Sequence, residues 1–232
     1  MRHRIFVDEI YMPVVEVLGE EFHHAVRVVR VKQGEEVEMF DKKGKMSLGT
    51  IHTIDPHRVI IRVGAPVPSR ESKLAIHLAM AIVQLEKFEL VLQKATELGV
   101  QTIIPLVTDR IELRKERYLG KMERWERIIF EAVKQSGRAV IPTLESPAPF
   151  TQIVERGGAK MFFDADADTT ERPESLDDVT LFIGPEGGWT DEELALARHH
   201  GCTFERLGPR RLRAETAAIA ATAIISARYG DI

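Results

Sequence analysis

Apolar and polar residues alternate with a period of two in two stretches of the first seventy positions, and then the rhythm changes. In GEEVEMFD, Val37 and Met39 alternate with Glu36 and Glu38, and HRVIIRVG sets Val59, Ile61 and Val63 on one face. Both patterns predict strands with one buried side. Gly34, Gly44, Gly49 and Gly64 punctuate the region, and DKKGK at 41–45 predicts a hairpin turn. Residues 1–68 therefore read as short strands of a small β-barrel or compact sheet. PVPSRES, 66–72, combines Pro66, Pro68 and Ser69 and predicts a linker. Beyond it, apolar runs at 73–83, 101–109, 160–164, 179–184 and 203–208 predict strands. Between the first two, Phe88, Val91, Leu92, Ala95 and Leu98 recur at helical spacing, with Gly99 as a C-terminal cap. Further helices are expected over 116–137 and from 214 to about 228. Strands alternating with helices predict a mostly parallel α/β sheet covered on both faces. The acidic run 164–178 reads as a solvated loop.

Composition narrows this little. A chain of 232 residues, 44% hydrophobic, suffices for two small cores or one large one. No run of eighteen apolar residues predicts a spanning helix, and the N-terminus lacks the apolar core of a secretory signal. Cys202 is the only cysteine, which excludes an internal disulfide and a multi-cysteine zinc site. His23 and His24 lack a clustered third ligand, so no metal is expected, and a cytoplasmic protein is. The formal charge of −4 does not announce a nucleic-acid binder, so any basic surface must be local.

The densest motif is IGPEGGWTDEE, residues 183–193. A phosphate-cradling loop needs a lysine and a hydroxyl after its last glycine, and here Trp189 follows Gly188. The spacing is also wrong for a dinucleotide fingerprint, and Glu186 would repel a phosphate. Thr190 and Glu193 predict a capping box opening a helix. The glycines either merely permit a tight strand-to-helix turn or leave backbone free for a flat, neutral, hydrogen-bonding ligand such as an adenine ring. A second cluster, LGPRRLRAETAA at 207–218, sets Arg210, Arg211 and Arg213 just before an alanine-rich helix. Cations at a helix start oppose its dipole, so local stability does not explain them. Arg210 and Arg211 taken singly suit a solvated basic turn.

Together these two motifs resemble the RsmE family of ribosomal RNA methyltransferases, of the SPOUT superfamily. QKATELGVQTIIPLVTDR (93–110), ERIIFEAVKQSGR (126–138) and HHAVRVVRVKQGEEVEMFD (23–41) extend the resemblance over nearly the whole chain. It implies a PUA-like β-barrel RNA-binding domain, 1–68, and a SPOUT methyltransferase domain, 73–232, whose parallel sheet ends in a trefoil knot, an exception to the rule that chains avoid knots. It implies a homodimer that uses S-adenosylmethionine to methylate N3 of one uridine in 16S ribosomal RNA of the small subunit. Position by position, the cofactor residues it implies are Phe163, Asp164, Gly184, Pro185, Glu186, Gly187, Gly188, Leu207, Gly208, Leu212, Arg213, Glu215, Thr216 and Ala217. Arg213 is the candidate to stabilise a uracil anion, and Glu215 to order Arg213 or accept a proton. Arg2, Arg4, Arg27, Arg30, Arg110 and Arg114 are the RNA-binding candidates. Glu131, Gln135 and Arg138 share a helix face that serves either the dimer or the substrate. Two rival readings are a knotted enzyme that methylates ribose or guanine, and a non-catalytic RNA-binding module.

Overall fold

The structure, a computed structural model, describes residues 2–232. The chain forms two compact units, Met1–Glu71 with Val133–Ile141, and Ser72–Ala132 with Pro142–Ile232.

The first unit is a five-stranded sheet built from β1 (His3–Val7), β2 (Val14–Val17), β3 (Glu36–Asp41), β4 (Met46–Ile54) and β5 (Val59–Pro66). Its order is β1-β3-β4-β5-β2, with β1 parallel to β3 and every other pair antiparallel. The sheet curls until β1 and β2 approach one another, and Val37, Met39, Ile51, Val59 and Ile61 fill its interior. The β3–β4 turn falls on DKKGK, where Asp41 Oδ1 accepts from the backbone N–H of Lys43 and Lys45 at 2.9 and 3.0 Å. One expectation fails here, because the segment before β3 is not strand. It forms α1 (Gly19–His23) running into a π-helical turn, His24–Val29. Phe22, Ala25, Val26 and Val29, three or four apart, pack on the sheet core, which is a helical period rather than an alternation.

Charge secures the unit where the sequence suggested solvated faces. Glu38 lies on the side of β3 expected to face water, yet it is buried between Arg4 at 2.9 Å and Arg70 at 2.9 Å. Arg4 also donates to the backbone carbonyls of Val133, Lys134 and Arg138 at 2.7–3.2 Å, a favourable place for a cation at a helix C-terminus. Glu71 accepts from Arg138 at 2.8 Å and from the N–H of Ala139 and Val140. Arg70 and Glu71 are therefore anchored within this unit, and the expected linker is no free tether.

Arg70's hydrogen bond, assisted by the charges of Arg70 and Arg4, holds the Glu38 carboxyl below its ordinary value. A depressed folded pKa contributes stability that is present above the unfolded value and lost as pH falls through the folded one. Glu38→Gln is accordingly expected to destabilise the protein most near neutrality. The gap to wild type should hold steady from about pH 7 down to the ordinary glutamate value of about 4.3 and close only on further acidification, read by denaturant midpoints. A gap that stays constant would contradict it.

The second unit carries a sheet of seven parallel strands. They are β6 (Ala75–Ala81), β7 (Thr102–Val107), β8 (Thr143–Leu144), β9 (Ala148–Pro149), β10 (Ala159–Phe163), β11 (Asp178–Ile183) and β12 (Thr203–Glu205). The order is β12-β10-β11-β6-β7-β8, with β9 also on β7. Central β6 is nearly all apolar and buried, as a strand covered on both faces requires. The helices are α2 (Leu85–Glu97), α3 (Lys115–Leu119), α4 (Met122–Ser136), α5 (Phe150–Val154), α6 (Asp191–His199) and α7 (Ala214–Tyr229). The single helix expected over 116–137 is broken at Gly120 into α3 and α4. Aromatic rings dominate one side of the core, where Phe150, Phe162, Phe182, Phe204 and Trp189 are all buried. After β12 the chain turns back to begin α7, which packs on α2, β6 and β11.

Candidate functional site

Three loops leave the C-terminal ends of β10, β11 and β12 and meet around one cavity of about 610 Å³. Ligands of open α/β sheets bind at such strand ends. The first loop supplies Phe163, Asp164 and Asp166, the second Gly184 to Trp189, and the third Arg206 to Gly208 and Arg210 to Arg213, with Ala214 and Ala217 from the first turn of α7.

The middle loop shows why it is glycine-rich. Trp189 is buried against Phe162 and Phe150, with ring centroids 4.4 and 5.1 Å away, and its indole N–H donates to the carbonyl of Phe163 at 3.2 Å. A Cβ on Gly184 would lie 2.8 Å from that indole nitrogen and 2.9 Å from Cε2, so only glycine passes under the ring. Gly188 has φ +71°, the left-handed region, and its N–H donates to the carbonyl of Pro185 at 2.9 Å. The loop ends in the expected capping box. Glu193 N–H donates to Thr190 Oγ1 at 3.2 Å, and Thr190 N–H to Glu193 Oε2 at 2.9 Å. The other oxygen of Glu193 accepts from Asp109 N–H at 3.1 Å, which ties the chain after β7 to the start of α6.

Two observations revise the electrostatic reading of the loop. Lys87, distant in sequence, pairs with Glu186 at 3.0 Å, so a lysine does lie nearby. It does not line the cavity, and its charge is taken up by Glu186. The third loop is pinned to the first by the ion pair of Arg211 with Asp166. Below them, buried Glu205 accepts from Arg172 of the acidic 164–178 segment and lies 3.7 Å from Arg228 of α7.

Of the expected cofactor residues, Phe163, Asp164, Gly184 to Gly188, Leu207, Gly208, Leu212, Arg213 and Ala217 all line the cavity. Glu215 and Thr216 do not, although Glu215 Oε2 is buried with no hydrogen-bond partner. Arg213 is the N-cap residue of α7, and its exposed guanidinium makes no hydrogen bond or ion pair within the described residues. Arg110, expected as an RNA contact, also borders the cavity and donates to the carbonyl of Gly187 at 3.0 Å. Local motif reasoning missed Trp189, Asp166 and Arg206. Trp189 was discoverable only as the ring that a bare Gly184 accommodates.

Among the other RNA candidates, Arg27, Arg30 and Arg114 are exposed, and exposed Arg2 pairs with Glu36 at 3.1 Å. Arg4 must be withdrawn, because its side chain is 12% exposed and its guanidinium is occupied by Glu38 and three carbonyls. The helix-face trio also divides, since Glu131 and Gln135 are exposed on α4 while Arg138 is buried on Glu71. Burial raises the Cys202 thiol to about 11, so this cysteine is no nucleophile at neutral pH. No cluster of three metal-ligating side chains occurs among the described residues, and none of their helices is long and apolar enough to cross a membrane.

Comparison with known proteins agrees with this geometry. The family model of an RNA methyltransferase domain matches residues 70–226, and that of an RNA methyltransferase PUA domain matches 17–64. A ribosomal RNA small subunit methyltransferase E of Buchnera aphidicola subsp. Schizaphis graminum is 32% identical over 90% of this chain and 89% of its own. The Bacillus subtilis protein of that name is 29% identical, over 92% and 90%. Among solved structures, one from Neisseria gonorrhoeae with that name, bound to S-adenosylmethionine, superposes with a TM-score of 0.91 at 28% identity, covering all of both chains. A methyltransferase from Legionella pneumophila, also holding that cofactor, gives 0.89 at 38% identity over the same coverage.

Proposed function

This chain belongs to the ribosomal RNA small subunit methyltransferase E family, and from that membership we propose that it methylates N3 of one uridine in 16S ribosomal RNA with S-adenosylmethionine as donor. The observation that carries the proposal to this chain's own residues is the cavity, where a glycine-rich loop meets an arginine that has no partner among the described residues.

The residues fit the cofactor. A neutral nucleoside with a charged amino-acid tail needs bare backbone, apolar walls and no phosphate-binding lysine. Gly184, Gly187 and Gly188 supply the first, Pro185, Leu207, Leu212 and Ala217 the second, and Lys87 is already paired. When bound, S-adenosylmethionine supplies a methyl group on a sulfonium, an electrophile open to in-line attack. The protein's part is to position donor and acceptor and to exclude water. Uracil N3 carries a proton that must leave before or as its new bond to carbon forms, and the negative charge its departure leaves is shared with O2 and O4 until the methyl arrives and the sulfonium becomes a neutral thioether. Arg213 is placed to meet that charge. Glu215, whose buried Oε2 has no partner among the described residues, is the candidate to accept the N3 proton. A paired uridine is inaccessible at N3, so the base has to be unpaired or flipped.

The same reading assigns residues 1–68 to RNA binding and 73–232, with its knot, to methyl transfer. Arg2, Arg27 and Arg30 contact RNA from the first, and Arg110 and Arg114 from the second. The protein acts as a cytoplasmic homodimer. The test is nucleoside mass spectrometry of 16S ribosomal RNA from a strain lacking the protein. Loss of 3-methyluridine, restored by complementation, is the expected result. Loss of a ribose-methylated nucleoside instead would replace the assignment.

A further inference from the structure

A second concavity, of about 480 Å³, lies between the start of α2 and the α3–α4 segment. One of its walls is cationic, formed by Arg117 of α3, Lys121 of the connection and Arg124 of α4. The break at Gly120 does not scatter these side chains. Lys121 N–H donates to the carbonyl of Tyr118 at 3.0 Å, and Trp125 N–H to that of Lys121 at 2.9 Å, so the turn continues through the connection. Tyr118 and Trp125, seven apart, are buried on the inner side. Residues 117, 121 and 124, four and three apart, consequently share the outer side. The opposing wall carries Glu86 and Glu89. Glu89 holds Arg124 in a two-point pair at 2.6 and 2.7 Å. Glu86 sits in the first turn of α2, where an acid offsets the helix dipole. Arg117 and Lys121 have no ion-pair partner among the described residues. In a chain with an excess of acids, that is the local basic surface an RNA-binding protein requires.

We propose that this groove is an RNA-backbone subsite, in which Arg117 and Lys121 contact phosphates of the ribosomal RNA away from the methylation cavity. The groove is open and its cations stand on long flexible stems, which suits an extended anionic strand better than a small anion. Leu85 and Leu113 are its only apolar lining residues, too few to seat a protein partner. The inference rests on the ribosomal RNA reading above and adds to it a place where the strand is held.

The test measures binding of the full protein to a 16S ribosomal RNA transcript over a range of salt, alongside calorimetry with S-adenosylmethionine. The double variant Arg117→Ala/Lys121→Ala should raise the Kd about tenfold near 0.1 M salt. It should also flatten the slope of log K against log salt by about 0.7–0.9 per lost contact. Arg117→Lys/Lys121→Arg should keep both, and cofactor affinity should stay at the wild-type value in every variant. A wild-type salt slope in the double alanine variant would overturn the groove while leaving the methyltransferase reading intact. Wild-type protein that binds the cofactor but not the transcript would sink that reading and the groove with it. A change of oligomeric state in sedimentation would instead assign the groove to an interface between copies, and so overturn it as well.

Discussion

Arg213→Ala is expected to slow methyl transfer by about 10²–10³-fold while leaving cofactor binding measurable, the loss typical of a single donor aimed at developing negative charge. The structure makes this a clean substitution. The backbone carbonyl of Arg213 accepts from Ala217 N–H at 2.8 Å and its side chain makes no cap bond, so alanine leaves the start of α7 intact. What disappears is the unpartnered guanidinium at the cavity. Single-turnover methylation of small-subunit RNA gives the rate, and calorimetry gives the cofactor affinity. Wild-type turnover would remove Arg213 from the mechanism. Arg213→Lys keeps the charge and loses the planar fork, so a partial rescue would separate charge from geometry.

Gly184→Ala should have the largest effect of any single methyl group added to the glycines of the cavity. The new Cβ would meet the Trp189 indole below 3 Å, and that ring cannot retreat because Phe150 and Phe162 are packed behind it. Overpacking of this kind costs about 1–3 kcal/mol, or a Tm lower by about 2–12 °C in a chain of this size. The strain falls on the loop that shapes the cavity, so cofactor affinity should fall with stability. Trimming the ring in Gly184→Ala/Trp189→Leu should recover part of the affinity, and the two substitutions should therefore be non-additive. Strictly additive losses, or unchanged affinity in Gly184→Ala, would show that the contact does not set the cavity.

Local chemistry was legible in the sequence, and distant pairing was not. The Thr190–Glu193 box, the DKKGK turn and the apolar run of β6 are decided within a few residues, and each formed as its pattern predicts. Residues 19–29 read as strand only by extension from GEEVEMFD and HRVIIRVG, while their own apolar positions, Phe22, Ala25, Val26 and Val29, stand three and four apart. The two-residue strands β8 and β9 and the five-residue α5 are too short to show any period. Charge was read without its partners. Arg4 looked like an RNA contact until Glu38 and three carbonyls claimed it, and Glu186 looked isolated until Lys87 came alongside. The cavity itself was open to two readings from GPEGG alone, and the family resemblance decided between them. No local pattern could show that Trp189 is what forbids a side chain at position 184.

One feature of the first unit bears on the order in which this chain is made. Arg4, Arg70 and Glu71 find their partners partly in residues 133–141, which leave the ribosome about seventy residues after the sheet is complete. At elongation rates of about 5–20 residues per second, that is a wait of roughly 3.5–14 s. During it Arg4 lacks its carbonyls and Glu71 lacks Arg138. The N-terminal unit is thus finished by a segment that emerges only after β6, α2 and β7, so it is completed by chain made well after its own sheet.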